Sequence, residues 1–276
     1  FEILKQRGDI LQWRYVPPKS TVIYVSHEWV GTDHPDPDGT QMYHLLRVFE
    51  RLRSGEISKT EMNWIHTLAY KHNFSTSAQE WKRILDSENT FIWYDGFCVP
   101  SSQLDDSVRW IPTYLQRCDF MIILAPGCTH FDRIDPRTQR KMSLGYRTYR
   151  LQARCVFELF CAFLTTRGKG KARPALLIGS FASRAPSWIS PMECQKLAVG
   201  TSLFQCCESN HSTVKECRRP LFLTSLEYMI ELKSQSLFLE SKTNILEARM
   251  TRSLTPFWTR GLTHERTQKS WDSLDA

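Results

Sequence analysis

Glu158 is a carboxylate set inside an apolar helical run, with Cys155, Val156, Phe157, Leu159, Phe160, Cys161 and Phe163 around it. Ionised carboxylates are rarely left in such surroundings without a partner or a task. Two readings follow. Either Arg154, one helical turn earlier, neutralises it, or it faces a pocket where a carboxylate is used. A second polar set, Ser26-His27-Glu28-Trp29, comes directly after the apolar run Thr21–Val25. Open α/β sheets place ligand contacts there, just past the carboxyl end of a strand. Residues 31–39, GTDHPDPDG, are dense in acids but fail the calcium-loop pattern: His34 takes the first ligand position and Leu45 stands where the closing Glu belongs. They read as a solvated turn. Cys206, Cys207, His211 and Cys217 can be drawn as a zinc set, but no second C-x-x-C supports it, and no metal is expected. There is no G-x-G-x-x-G after a strand, no Walker A loop and no G-x-S-x-G elbow. Gly168-Lys169-Gly170-Lys171 reads as a basic turn.

The elements that must position these residues alternate. Thr21–Val25, Asn89–Asp95, Asp119–Ala125, Ala175–Ile178 and Thr201–Cys207 read as strands. Gln41–Leu52, Val108–Arg117 (with Pro112 in its first turn), the helix around Glu158 and Ser190–Ala198 read as helices. The alternation implies βαβ units and a five-stranded, parallel, doubly wound sheet of flavodoxin-like, three-layer architecture. Ser26, Gly96 and Pro126 then share one edge, at the carboxyl ends of the strands. Residues 1–20 are a lead-in, and 21–210 form the α/β domain. Residues 54–88 read as an inserted helical pair, with a capping box at Ser77 and Glu80. The Trp64, Ile65 and Leu68 spacing there fits core packing. Residues 128–145 read as a long polar loop. A helical extension covers 218–262, with Leu226, Met229 and Ile230 on its apolar face, and 263–276 form a polar tail.

The bulk numbers fit one large domain, or one domain with an appendage: 276 residues, 41% apolar, 12% aromatic and 24% charged. The net charge of +7 is scattered, without a long basic block interleaved with aromatics. It suits an anionic small molecule or an acidic partner and does not argue for nucleic acid. Nine cysteines, several among apolar residues, point to buried thiols in a reducing, cytoplasmic setting. No apolar run reaches the length of a membrane span. No signal-peptide pattern opens the chain. It also lacks an initiator Met, as a segment of a longer protein would.

The order of these features carries a resemblance. A first strand ends in Ser-His, a second in the acidic residue of IWYDGFCVP, a third reads CDFMIILA, and the next helix carries Cys155-x-x-Glu158-Leu159. Over about residues 20–207 this resembles the Toll/interleukin-1 receptor (TIR) domain family, and IWYDGFCVP also resembles the related fungal heterokaryon-incompatibility (HET) domains. The resemblance implies a TIR-like fold and cleavage of the nicotinamide–ribose bond of NAD, with Glu158 as the catalytic residue. A carboxylate beside the ribose would stabilise oxocarbenium character as neutral nicotinamide leaves. NAD is the implied substrate, with no tightly bound cofactor. Ser26, His27, Trp29, Gly96 and Phe97 are the implied NAD contacts, Phe97 by stacking near the nicotinamide. Self-association, or association with other TIR-like domains, is the implied partnership. One departure stands out: the family usually has Trp four residues before the Glu, and here that position is Arg154. The alternative reading is a non-catalytic signalling or scaffold module that self-associates; a third is a sensor that binds NAD-like ligands without cleaving them.

Overall fold

The computed structural model describes residues 2–70, 74–100, 106–165, 175–179, 185–208 and 217–241. Its centre is a seven-stranded sheet in the order β3-β2-β9-β8-β5-β1-β4. The strands are β1 (Thr21–His27), β2 (Lys59–Met62), β3 (Ser75–Ser77), β4 (Thr90–Tyr94), β5 (Phe120–Leu124), β8 (Ala175–Ile178) and β9 (Ser187–Ile189). A separate hairpin joins β6 (Cys128–Ile134) to β7 (Lys141–Leu144). The helices are α1 (Glu2–Arg7), α2 (Thr40–Ser54), α3 (Trp64–Tyr70), α4 (Ala78–Leu85), α5 (Asp95–Cys98), α6 (Ile111–Arg117), α7 (Tyr146–Tyr149), α8 (Ala153–Leu164), α9 (Gln205–Glu208) and α10 (Arg219–Ser241).

β1 is the middle of the arrangement. It runs parallel to both β4 and β5, with Val25 beside Tyr94 and His27 beside Leu124. A strand flanked on both sides and covered on both faces is mostly apolar, and Val22–His27 are all buried, with Ser26 and His27 the polar pair at its carboxyl end. Alternate residues feed two cores. Val22 and Tyr24 join Met121, Ile123 and the helices α6, α8 and α10 on one face. Ile23 and Val25 join Ile122, Leu124, α2 and α4 on the other. The expected layering, helices on both faces of the sheet, is what forms.

Local chemistry fixes the helix ends. The Asp36 carboxylate accepts from the backbone N–H groups of Gln41 and Met42 at 3.2 and 2.8 Å, so it caps α2. The acidic loop is therefore partly structural rather than a solvated turn, with Asp36 and Pro35 buried. The helix stops at Gly55, whose φ of 81° is a left-handed conformation that glycine adopts without strain. The capping box of Ser77 and Glu80 forms at the start of α4 as expected. Apart from Arg154 and Glu158, α8 is apolar on every face, and it is buried along nearly its whole length.

Several expectations are corrected. The sheet has seven strands, not five, and is mixed: β2 pairs antiparallel with β3, and β8 with β9. Residues 54–88 are not a purely helical insertion, because they supply β2 and β3 as well as α3 and α4. The reason lies in Lys59–Met62, which alternates exposed and buried with the period of a strand. Residues 201–207 are not a strand. Val199–Thr201 is a 3-10 turn leading into α9, and the strand of that region is β9. Residues 128–145 are not a loop, since β6 and β7 pair across a turn at Asp135–Arg140. Ser190–Ala198 forms no α-helix, and Val108–Arg117 is α-helical only from Ile111. The first becomes a 3-10 segment, Pro191–Lys196, and the second is 3-10 before α6, with Pro112 in the first turn of α6. α10 packs on the α8 face through Phe222, Leu226, Met229 and Ile230. The rest of the expected extension (242–262), the tail (263–276), His211 and the Gly168–Lys171 turn lie outside the described residues. Among those described, no helix is long and apolar enough to cross a membrane.

Candidate functional site

The carboxyl ends of β1 and β4 and the first turns of α8 meet in a buried charged cluster. β1 delivers Ser26 and His27, the end of β4 delivers Asp95, α2 delivers Gln41, and α8 delivers Arg154 and Glu158. Alternation explains the split on β1: consecutive residues point to opposite faces, so Ser26 meets α8 while His27 meets α2 and Asp95.

Glu158 is only 3% exposed. Its Oε2 accepts from Ser26 Oγ at 2.5 Å, and its Oε1 accepts from Arg154 Nε at 3.1 Å. Ser26 Oγ in turn lies 2.6 Å from the Tyr149 hydroxyl. Both carboxylate oxygens are therefore occupied by the protein. Burial raises the Glu158 pKa above the ordinary carboxylate value, and it outweighs the opposing effects of Arg154 and Ser26.

Asp95 is the hub. Its Oδ1 faces His27 Nε2 at 2.8 Å and accepts from the backbone N–H of Gly96 at 2.7 Å. Its Oδ2 accepts from Trp29 Nε1 at 3.0 Å and lies 3.1 Å from Arg154 Nη2 in an ion pair. Burial opposes its ionisation, but the charges of His27 and Arg154 prevail and hold its pKa far below the usual carboxylate range. Arg154 thus bridges two acids, Asp95 and Glu158.

The protonation of His27 follows from its neighbours. Gln41 Nε2 donates to the Glu28 carbonyl at 2.9 Å, which turns Gln41 Oε1 toward His27 Nδ1 at 2.7 Å. An amide oxygen and a carboxylate accept only, so the arrangement is satisfied with both ring nitrogens donating, the imidazolium form. Burial alone would lower the His27 pKa; Asp95, and then Gln41, raise it overall. The ring stacks on Tyr94 with centroids 4.4 Å apart.

Of the sequence-derived candidates, Ser26, His27, Trp29 and Glu158 come together in this one cluster. Gly96 joins through its backbone N–H. It also has a packing role: a Cβ there would lie 2.6 Å from Pro35 Cγ. Phe97 stands apart, 38% exposed, with its ring 5.0 Å from that of Tyr94 rather than beside Glu158. Sequence reasoning did not single out Asp95, Gln41 or Tyr149 as site residues. The signal for Asp95 was its place at the end of an apolar strand, the same argument that selected Ser26 and His27. Gln41 and Tyr149 carried no local signal, because each meets its partner only through the tertiary fold.

A hollow of about 380 Å³ opens elsewhere, lined by residues that include Tyr146, Arg147, Arg150 and Ser202. Neither Ser26 nor Glu158 lines it. No family model, curated protein or solved structure matches the chain.

Proposed function

We propose that this chain is a TIR-like, non-catalytic module that acts by self-association, with Glu158 committed to holding the domain together. The observation that carries this reading is the occupancy of Glu158: one oxygen takes the Ser26 hydroxyl, the other takes Arg154, and the carboxylate is buried. A glycohydrolase needs that carboxylate beside the substrate ribose, where it would stabilise developing positive charge. Here the positive charge beside it is already Arg154, at the position where the resembled family usually carries Trp.

A second observation supports a binding role. The outward face of α3 is apolar, with Trp64 72% and Leu68 71% exposed. The expectation that these residues pack in the core is corrected by what α3 turns inward instead. That is His66, which accepts from the Ser190 backbone N–H and lies 3.2 Å from Glu193. An apolar patch of this kind marks interaction surfaces, and a second copy of the chain is the partner that the resemblance implies.

NAD glycohydrolase activity is the second reading. It is favoured by the short Ser26–Glu158 contact at the carboxyl end of the central strand, where α/β sheets bind ligands. The deciding experiment measures nicotinamide release from NAD by the purified chain at high protein concentration, beside Glu158→Ala and Arg154→Trp. No release by the wild-type chain is expected, with reversible self-association in sedimentation runs. Release by the wild type that disappears in Glu158→Ala would overturn the proposal in favour of the enzyme.

A further inference from the structure

We infer that Cys206, Cys207 and Cys217 form a structural site for a zinc ion, which ties the C-terminal helix α10 to the body of the domain. Cys206 and Cys207 lie on α9, and Cys217 lies just ahead of α10. Their sulfurs converge. Cys206 Sγ and Cys207 Sγ are 4.0 Å apart, Cys207 Sγ and Cys217 Sγ are 3.7 Å apart, and all three lie within 4.8 Å of one another.

The spacing is the argument. A tetrahedral zinc ion with Zn–S bonds of about 2.3 Å holds its thiolates about 3.8 Å apart. A disulfide would draw two sulfurs to about 2.05 Å. Hydrophobic burial does not explain the convergence. Cys206 is buried, but Cys207 is half-buried and Cys217 is exposed, and exposed thiols gain little from packing on one another. The flanking chemistry also fits. Arg219 Nη2 lies 3.9 Å from Cys207 Sγ. Three thiolates and one Zn²⁺ carry a net charge of −1, and a guanidinium donating to one sulfur is the outer-shell partner such a centre uses. Binding Zn²⁺ forms three Zn–S bonds and releases the thiol protons to solvent. A tetrahedral ion keeps one further position for a fourth ligand. His211, the candidate from the sequence, lies outside the described residues.

The location argues for a structural role. Phe222, in the first turn of α10, sits edge-on to Phe157 of α8 at 5.1 Å and to Phe204 at 5.4 Å. Phe204 immediately precedes α9. The ion therefore closes a short ring of structure around the point where α10 meets α8, the helix that carries Arg154 and Glu158. In the sequence these cysteines could be drawn as a zinc set with His211 but lacked a supporting second C-x-x-C, the spacing of common zinc motifs.

The test uses the full chain, purified under reducing conditions without chelator. Elemental analysis should find one zinc per chain. Replacing zinc with Co²⁺ should give intense thiolate-to-cobalt absorption. Cys207→Ser and Cys217→Ser should each weaken metal binding at least ~10-fold, a loss that outer-shell changes alone can reach, while Cys98→Ser should keep the ion. Chelation should lower the Tm of the wild type and leave that of Cys217→Ser unchanged. The inference is overturned if folded wild-type chain takes up neither zinc nor cobalt, whatever the variants do. It is also overturned if chain purified without reductant proves to have Cys207 and Cys217 joined as a disulfide, seen as a loss of two hydrogens in mass that reduction restores. Retention of the ion by both Cys207→Ser and Cys217→Ser would overturn it as well.

Discussion

Thr60 and Asp95 are both buried polar groups near the middle of this fold, and they are satisfied in opposite ways. The Thr60 hydroxyl lies between two stacked indoles, accepting from Trp81 Nε1 at 2.9 Å and from Trp188 Nε1 at 3.0 Å. No charge is involved, and the surroundings are aromatic: Phe120 and Phe74 also set their edges against this pair. Asp95 instead sits among His27, Arg154 and Glu158, and the balance there is ionic. A neutral cluster of this kind supports packing at any ordinary pH. An ionic cluster costs more desolvation and gains a response to protonation in exchange. The two halves of the core therefore fail differently, one by lost packing and one by lost charge balance.

The largest effect is expected from Asp95→Ala. It leaves the His27 imidazolium and one side of Arg154 buried without their carboxylate, and breaking a buried pair in this way costs about 3–5 kcal/mol. Denaturant unfolding measures it; a loss under 1 kcal/mol would show that Asp95 is not the hub. Thr60→Val tests the neutral side. It keeps the shape but removes the acceptor shared by two indoles, and an unsatisfied buried donor costs about 1–3 kcal/mol. Thr60→Ser should recover most of that loss, because it keeps the hydroxyl.

The same contrast governs what the sequence discloses. The central strands were legible because Thr21–Val25 and Phe120–Leu124 are continuous apolar runs, and burial on both faces demands that. β2 was not legible. Its four residues, Lys59-Thr60-Glu61-Met62, include two charges, and its buried polar residue, Thr60, is explained only by tryptophans 21 and 128 residues away. Glu158 was legible as an anomaly, and Arg154 as its partner by helical spacing. Asp95 as the second partner of Arg154 was not, because helix α8 and strand β4 meet only in the folded chain. Trp64 and Leu68 misled for a related reason: apolar residues at helical spacing predict one buried face, and α3 buries His66 instead.

pH dependence separates the two clusters further, and within the ionic one His27 and Glu158 share a sign that Asp95 opposes. The His27 pKa is raised above 6.5, so its contribution to stability is full below that value and is lost as pH rises through the raised folded value. The Glu158 pKa is raised above 4.5, so the folded chain also holds that proton more tightly, and this contribution too is lost as pH rises. Asp95 runs the other way. Its depressed pKa contributes above the ordinary carboxylate range and is lost only in strong acid. Wild-type stability is therefore expected to fall as pH climbs beyond about 6.5. Urea midpoints across pH 5–9 measure this fall. His27→Gln should flatten the slope in that window, whereas Thr60→Val should lower the whole curve and leave its slope unchanged. A pH-independent wild type would remove the imidazolium from the account.

The smallest effect on stability is expected at the surface of α3. Trp64→Ser removes a side chain that is 72% exposed, and substitutions at such positions usually change stability by no more than about 0.5 kcal/mol. His66, on the inward side of the same helix, is held by Ser190 and Glu193 and keeps α3 in place without Trp64. Trp64→Ser is therefore a clean probe of association. Sedimentation of wild type and variant over the same concentration range should show weaker self-association in the variant at nearly equal Tm. Equal association would take α3 out of the interface, and a large fall in Tm would mean that Trp64 supports the core after all.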